Sequence, residues 1–306
     1  MKILITGGAG FLGSHLSEKC VNKGFYTHVV DNLSNSSLEN IKNIMHIKNF
    51  KFFKEDLERR EFFKKLDKDY EIIFHLAASQ KSTKDGFKSN LNITQNILEF
   101  VRKSDIKKII YTSSTRAMGL VKSDKPLDEN SVCKPDTLYG KSKYECEKII
   151  NEYCKMYGIK NVIFRFPRIY GPRDWQKTFY YLAKLINFGI VPKINLNINI
   201  IYVKNLVHAL LFSLSQKLEG TFIVSDGSYN VNEITNTIKR ILKKNSLIEI
   251  KFPRKFFKVY SYFTNSFRYA LKNIAYSTEK IKKAGYKPIY SLEKGIIETL
   301  KWYKIK

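Results

Sequence analysis

The chain has 306 residues, of which 54 are basic and 28 acidic, leaving a formal charge of +26. That length can bury one large core, or one domain with a smaller lobe, and no run approaches the ~18 apolar residues that cross a bilayer. The excess lysine is spread along the whole sequence without the basic block of a binding tail, so solvated helix faces account for it and nucleic acid is not an expected partner.

A first strand starting at Lys2 leaves no room for a signal peptide, and a cytoplasmic protein is expected. Cys20, Cys133, Cys146 and Cys154 have no C-x-x-C spacing and no ligand-like pairing with histidine. They read as reduced structural thiols, with neither metal nor disulfide expected.

In chain order, "KILIT", "THVVD", "KFF", "EIIFHLA", "KKIIYTSS" and "NVIFRF" are short apolar runs. Stretches with helical spacing, 11–23, 58–68, 88–103 and 137–157, separate them. Such alternation predicts parallel strands buried on both faces, hence an α/β fold with a Rossmann-type, doubly wound parallel sheet. The expected boundaries are 1–165 for this domain and 166–306 for a smaller, mainly helical substrate lobe. Within the latter, about 196–225 ("INIIYV", a helix and "TFIVSD") is expected to return to the sheet.

Gly7, Gly10 and Gly13 lie where the first strand ends and a helix begins. Glycines there serve a tight turn, close approach of a pyrophosphate, and close packing of helix on strand, while the helix N-terminus offers N–H groups to phosphate. Asp31 closes the second strand, where a carboxylate binds ribose hydroxyls and repels a 2′-phosphate. NAD is therefore expected rather than NADP.

The sequence also resembles the extended short-chain dehydrogenases/reductases, the NAD-dependent epimerases/dehydratases, nearly from end to end. The matching segments include "TGGAGFLGSHL", "VVDNLS", "FHLAA", "YTSSTRAMG", "YGKSKYECE", "FRFPRIYGPR" and "IIYVKNLVHAL". The resemblance implies that Gly7, Gly10, Phe11, Leu12, Gly13, Asp31 and Asn32 bind the cofactor. It also implies that Asp56 and Leu57 flank adenine, that Leu76, Ala77 and Ala78 lie under the pyrophosphate, that Asn90 lies near the cofactor, and that Pro167 lies near the nicotinamide. A homodimer, formed through a helix pair that includes the Tyr139 helix, is implied as well.

The family's Ser, Tyr and Lys set falls on Ser114, Tyr139 and Lys143. Tyr139, Tyr144, Tyr180, Tyr276 and Tyr290 all have lysine four residues on, so position alone selects Tyr139. A phenol has an ordinary pKa near 10, which a Lys143 cation is expected to lower. Tyr139 then removes a hydroxyl proton as the carbon gives up hydride, Ser114 hydrogen-bonds the same oxygen, and Tyr139 and Lys143 also touch the cofactor.

Members of the family that eliminate water usually carry an acid pair just after the position of Ser114, and here those places hold Thr115 and Arg116. The reading is therefore a nucleotide-sugar epimerase, with Ser114, Thr115 and Arg168 on the substrate. The alternative is a dehydrogenase or ketoreductase of a hydroxylated lipid or other alcohol, with a dehydratase behind both. Met118, Arg168, Ile198 and Asn199 depart from the sugar-nucleotide pattern, and no C-terminal arginine segment matches clearly. That loses a charge-assisted clamp for the diphosphate.

The aromatic, basic stretch 252–276 suits helix packing, contact with an anionic membrane surface, or the substrate cleft. His75 and His208 read as structural. Trp175 reads as a helix cap or a substrate cover.

Overall fold

The apolar runs become a sheet buried on both faces. In the computed structural model, residues 1–121, 123–215, 218–244, 248–253 and 265–305 are described. The chain opens with β1 (Lys2–Thr6), α1 (Phe11–Asn22), β2 (Tyr26–Asp31), β3 (Phe50–Lys54), β4 (Ile72–His75) and α2 (Lys84–Arg102). It continues through β5 (Lys108–Thr112), α3 (Leu138–Tyr157), β6 (Lys160–Arg165), β7 (Arg168–Tyr170), α4 (Thr178–Asn187), β8 (Ile190–Lys193), β9 (Asn197–Tyr202) and α5 (Val203–Ser215). The last elements are β10 (Gly220–Ile223), β11 (Gly227–Asn230), α6 (Val231–Ile241), β12 (Ile248–Lys251), α7 (Asn265–Leu271), α8 (Glu279–Lys283) and α9 (Leu292–Trp302).

Two compact units result. One holds Met1–Gly119, Val132–Arg165 and Ala209–Phe222; the other holds Leu120–Ser131, Phe166–His208 and Ile223–Lys306. The first is built on a seven-stranded sheet of order β10-β6-β5-β4-β1-β2-β3, with parallel pairing from β3 through to β6. Strand order therefore reverses between β1 and β4. In such sheets the crevice beyond the carboxyl ends at the reversal is where ligands bind.

A hydrogen-bonded chain fixes that junction. Thr6 Oγ1 accepts from the N–H groups of Leu76 and Ala77, both at 3.1 Å. Its own proton then goes to His75 Nδ1, 3.1 Å away, which leaves Nε2–H to donate to Thr94 Oγ1 at 3.0 Å. Thr94 in turn donates to Cys146 Sγ at 3.2 Å. His75 is thus a buried, neutral, fully partnered residue.

The segment 58–68 differs from the expected helix, because Arg60–Lys65 forms a 3₁₀ turn. Consecutive Phe62 and Phe63 both face the core there, against Phe53 and Phe100 with centroids 5.8 and 5.5 Å apart.

The expected return of 196–225 to the main sheet divides in two. β10 takes the sheet edge beside β6, whereas β9 lies in a second-unit sheet of order β11-β9-β7. β9 runs parallel to β7 and antiparallel to β11; its apolar pattern equals that of a core strand, but its hydrogen-bonding edges are already taken. β8 and β12 form a separate parallel pair.

Of the 252–276 stretch, 254–264 lie outside the described residues. Past them, Ala270 and Leu271 of α7 pack with Leu196, Ile198 and Phe252. His208 stacks on Tyr286 at 5.5 Å. Trp175 is exposed, and Lys177, which precedes α4, gives it no side-chain cap.

Two consequences are measurable. A Cβ at Gly13 would stand 2.0 Å from the Gly7 carbonyl oxygen, so Gly13→Ala should cost about 3 kcal/mol or more in denaturant unfolding, since backbone rather than a side chain must yield. Burial holds the His75 pKa down at about 3 against an ordinary 6.5. The unfolded chain therefore binds the extra proton, and this stability is complete above pH 6.5 and lost progressively below it. Between pH 6.5 and 5 the wild type should lose about 2 kcal/mol more than His75→Gln, which keeps a donor and an acceptor.

Candidate active site

The first wall of the site is the turn between β1 and α1. Gly7 has φ +69° and donates its N–H to Val30 at 2.8 Å. A Cβ there would lie 2.9 Å from the backbone of Ala77, so the loops after β1 and β4 meet as backbone against backbone. At Gly10 the added carbon would meet only the Gly7 oxygen, leaving its other side open. Phe11 and Leu12 begin α1, which has no side-chain cap and no acid in its first turn. Its N-terminal N–H groups and positive dipole end are thus available to an anion.

Asp31 is buried at the end of β2. Its Oδ1 accepts from Leu33 N–H at 2.9 Å and Ser36 Oγ at 2.7 Å, and its Oδ2 from Ala9 N–H at 3.1 Å. A carboxylate has about four acceptor sites, so one on Oδ2 remains for a hydroxyl. Asn32 lies beside it and donates to Asp56 Oδ2 at 3.4 Å. Leu57 is buried, and its carbonyl accepts from Asn96 at 3.0 Å.

Leu76, Ala77 and Ala78 follow β4 and form the opposite wall. Asn90 is placed differently from a residue facing into the crevice: it is buried and used up by protein partners. Its Oδ1 accepts from Ser79 N–H at 2.6 Å, and its Nδ2 donates to the Ser79 carbonyl at 3.0 Å and to Ser142 Oγ at 2.9 Å. It therefore clamps the loop after β4 to α3.

α3 carries the candidate reactive groups Tyr139 and Lys143. Thr137 caps it by accepting from Gly140 N–H at 3.0 Å, so Tyr139 occupies the first turn and Lys143 the next, on one face. Ser114, just past β5, places its hydroxyl near the Tyr139 phenol, and its Oγ accepts from Arg116 N–H at 3.1 Å. Lys143 is buried and donates to the Thr112 carbonyl at 2.8 Å, with its ammonium 4.7 Å from the centre of the Tyr111 ring.

The electrostatics differ from the expected lowering of Tyr139 by Lys143. Burial pushes the Tyr139 phenol up to about 12, and the cation acting against that rise is Arg116, with the nearby Ser114 hydroxyl acting in the same direction. Burial brings Lys143 down to about 8, and its ammonium is turned toward the β5 carbonyl.

One turn beyond Lys143, Glu147 accepts from Ser113 Oγ and from Arg165, whose Nη2 is 2.6 Å from Oε2. Both members of this pair are buried. They fasten α3 to β5 and β6 and so set the height of Tyr139 and Lys143. Sequence reasoning missed both; the signal was an acid four residues after Lys143, together with an arginine ending an otherwise apolar strand.

The other predicted site residues, Pro167 and Arg168, belong to the second unit, where Arg168 opens β7 and registers with Ile200. Asn199 of β9 donates to the Ile274 carbonyl at 2.6 Å. Arg268 lies on α7, which packs on β9. Met118 is wholly buried, and its carbonyl holds Lys134 N–H at 2.9 Å.

Comparison with known proteins agrees with this architecture. The sequence profile of the NAD dependent epimerase/dehydratase family matches residues 3–231. A Methanocaldococcus jannaschii protein named "Putative UDP-glucose 4-epimerase" is 30% identical over 99% of this chain and 98% of its own. The structure of a Thermotoga maritima UDP-glucose 4-epimerase with UDP-glucose superposes with a TM-score of 0.83 at 25% identity, covering 99% of each chain. A Methanobrevibacter ruminantium UDP-N-acetylglucosamine 4-epimerase, solved with UDP-N-acetylmuramic acid, gives 0.83 at 25% identity over 99% of this chain and 98% of its own. With a family profile spanning most of the sequence and a full-length relative, the chain belongs to the NAD dependent epimerase/dehydratase family.

Proposed function

We propose that this enzyme inverts one ring carbon of a nucleoside-diphosphate sugar, by oxidising its hydroxyl to a ketone and reducing the ketone from the other face. The observation that carries this reading is the gathering of Ser114, Tyr139 and Lys143 at the carboxyl end of β5, one strand away from the reversal of the sheet. The names of the relatives, UDP-sugar 4-epimerases, support the same class of substrate.

The glycine turn and the uncapped start of α1 fit a dinucleotide diphosphate, because side chains at Gly7 and Gly13 would collide with backbone. In this reading Gly7 to Gly13 hold the diphosphate of NAD, Asp31 and Asn32 its adenosine ribose, Asp56 and Leu57 the adenine, and Leu76 to Ala78 the facing side. Tyr139, Lys143 and Pro167 hold the nicotinamide end. Bound NAD supplies the acceptor, and then the donor, of hydride.

The protein's own chemistry is proton transfer at one oxygen. Tyr139 takes the proton from the sugar hydroxyl and returns it to the same oxygen after the ketone has turned, so no second acid or base is required. Ser114 shares that oxygen and holds it in line. Arg116 favours the phenolate in a pocket whose burial disfavours it. With Thr115 and Arg116 where dehydration would need carboxylates, water elimination has no acid pair there. Arg168 and Arg268, on the two elements that pack on β9, are the cations proposed for the sugar-linked diphosphate. The α2–α3 pair is the proposed surface of a homodimer.

Incubation with trace NAD and UDP-glucose, UDP-N-acetylglucosamine or UDP-glucuronic acid should yield an isomer of unchanged mass with no net reduced cofactor. Net reduced cofactor would favour the dehydrogenase, and a mass lower by one water the dehydratase. Tyr139→Phe should lower turnover about 10²- to 10⁴-fold with NAD affinity retained. Arg116→Gln should move the acidic limb of the pH–turnover profile upward by about one unit, because the phenolate loses its cation; an unmoved limb would remove Arg116 from the account.

A further inference from the structure

One helix of the second unit is apolar on both sides. Phe179, Ala183 and Ile186 of α4 are 4%, 0% and 0% exposed and anchor it. On its other side Tyr181, Leu185 and the capping Phe188, spaced i, i+4 and i+7, are 58%, 43% and 74% exposed. Ile248 adjoins them, because its N–H donates to the carbonyl of Gly189 at 2.8 Å, and it is 71% exposed. An apolar stripe of this kind on an outer helix face marks an interaction surface, whereas isolated exposed apolar residues do not.

The surrounding charge selects the partner. Lys177 and Lys184 flank the stripe, with their ammonium groups 5.9 and 5.6 Å from the centre of the Tyr180 ring. No acidic residue occurs between Asp174 and Glu219 in a chain of charge +26, and Glu249, next to Ile248, is paired with Lys193 at 2.9 Å. A second copy of the chain would bring the same lysines against these. The face is the convex side of a helix, so it offers no groove to grip a peptide. Aromatic and aliphatic side chains bordered by lysine stems match the boundary between lipid headgroups and acyl chains, where the rings enter and the ammonium groups stay in water.

We propose that Tyr181, Leu185, Phe188 and Ile248, with Lys177 and Lys184, form a docking face for an anionic bilayer surface. The attachment is peripheral, since no described helix is long and apolar enough to cross a membrane.

Flotation of the full-length protein with vesicles tests this. The protein should float with phosphatidylglycerol–phosphatidylcholine vesicles, weakly with phosphatidylcholine alone, and less as salt is added. The combined Tyr181→Ser, Leu185→Ser and Phe188→Ser variant should lose ~10-fold or more in vesicle affinity, with melting temperature and turnover unchanged because these side chains face solvent. Lys177→Gln with Lys184→Gln should remove much of the salt dependence. Absence of flotation at low salt would overturn the proposal, as would a serine variant that floats like the wild type. So would a wild-type dimer that does not float and falls to monomer on the same substitutions, since the face would then belong to a second copy.

Discussion

The Thr6 hydroxyl joins the two loops on which the crevice depends. Because β1 and β4 are neighbours at the point where strand order reverses, the backbones after Thr6 and after His75 leave the sheet side by side. Two amides of one loop converge on an oxygen of the other strand, and the hydroxyl proton has only His75 left to serve. This directs the whole sequence of donors down to Cys146 on α3. The absence of a side chain at Gly7 is the other half of the same constraint, since there the loops meet as bare backbone, while at Gly13 it lets α1 close on its own turn.

α3 is held by a parallel logic at intervals of one turn. Tyr139 meets Ser114, Lys143 meets the Thr112 carbonyl, and Glu147 meets Ser113 and Arg165, so one helix face reads successive residues at the end of β5. Asn90 adds a lateral clamp from α2. Removing one member of a buried ion pair is costly because the partner charge is stranded. The Glu147–Arg165 pair thus ties the helix that carries the Tyr139 phenol to β6. The proposed proton chemistry rests on the balance at Tyr139, where burial and the Arg116 cation act in opposite directions.

Much of this was legible in the sequence because spacing carries it. Gly7, Gly10 and Gly13 after an apolar run specify a turn that only bare backbone can make, and Asp31 marks the end of the next strand. The choice of Tyr139 among five Tyr-x-x-x-Lys matches also came from its place after a strand. What stayed hidden depends on three-dimensional partners. Periodicity could not show that Phe62 and Phe63 both turn inward, or that β9 finds its edges in a second sheet. The resemblance put Asn90 near the cofactor, but only the structure shows that its side chain is largely spent on Ser79 and Ser142. Arg116 stood out in the sequence only as the absence of an acid; its effect on the phenol follows from the 3₁₀ turn Thr115–Ala117 that brings it to Tyr139.

The central claim is that one tyrosine oxygen manages both directions of an internal oxidation and reduction. Its most direct test is a UDP-sugar deuterated at the carbon to be inverted, with the product isolated and its label located by mass spectrometry and nuclear magnetic resonance. The account predicts inversion with the carbon-bound deuterium retained. Inverted product whose deuterium has exchanged with solvent would contradict it, because the carbon would then have lost a proton to a base and no oxidation would have occurred there.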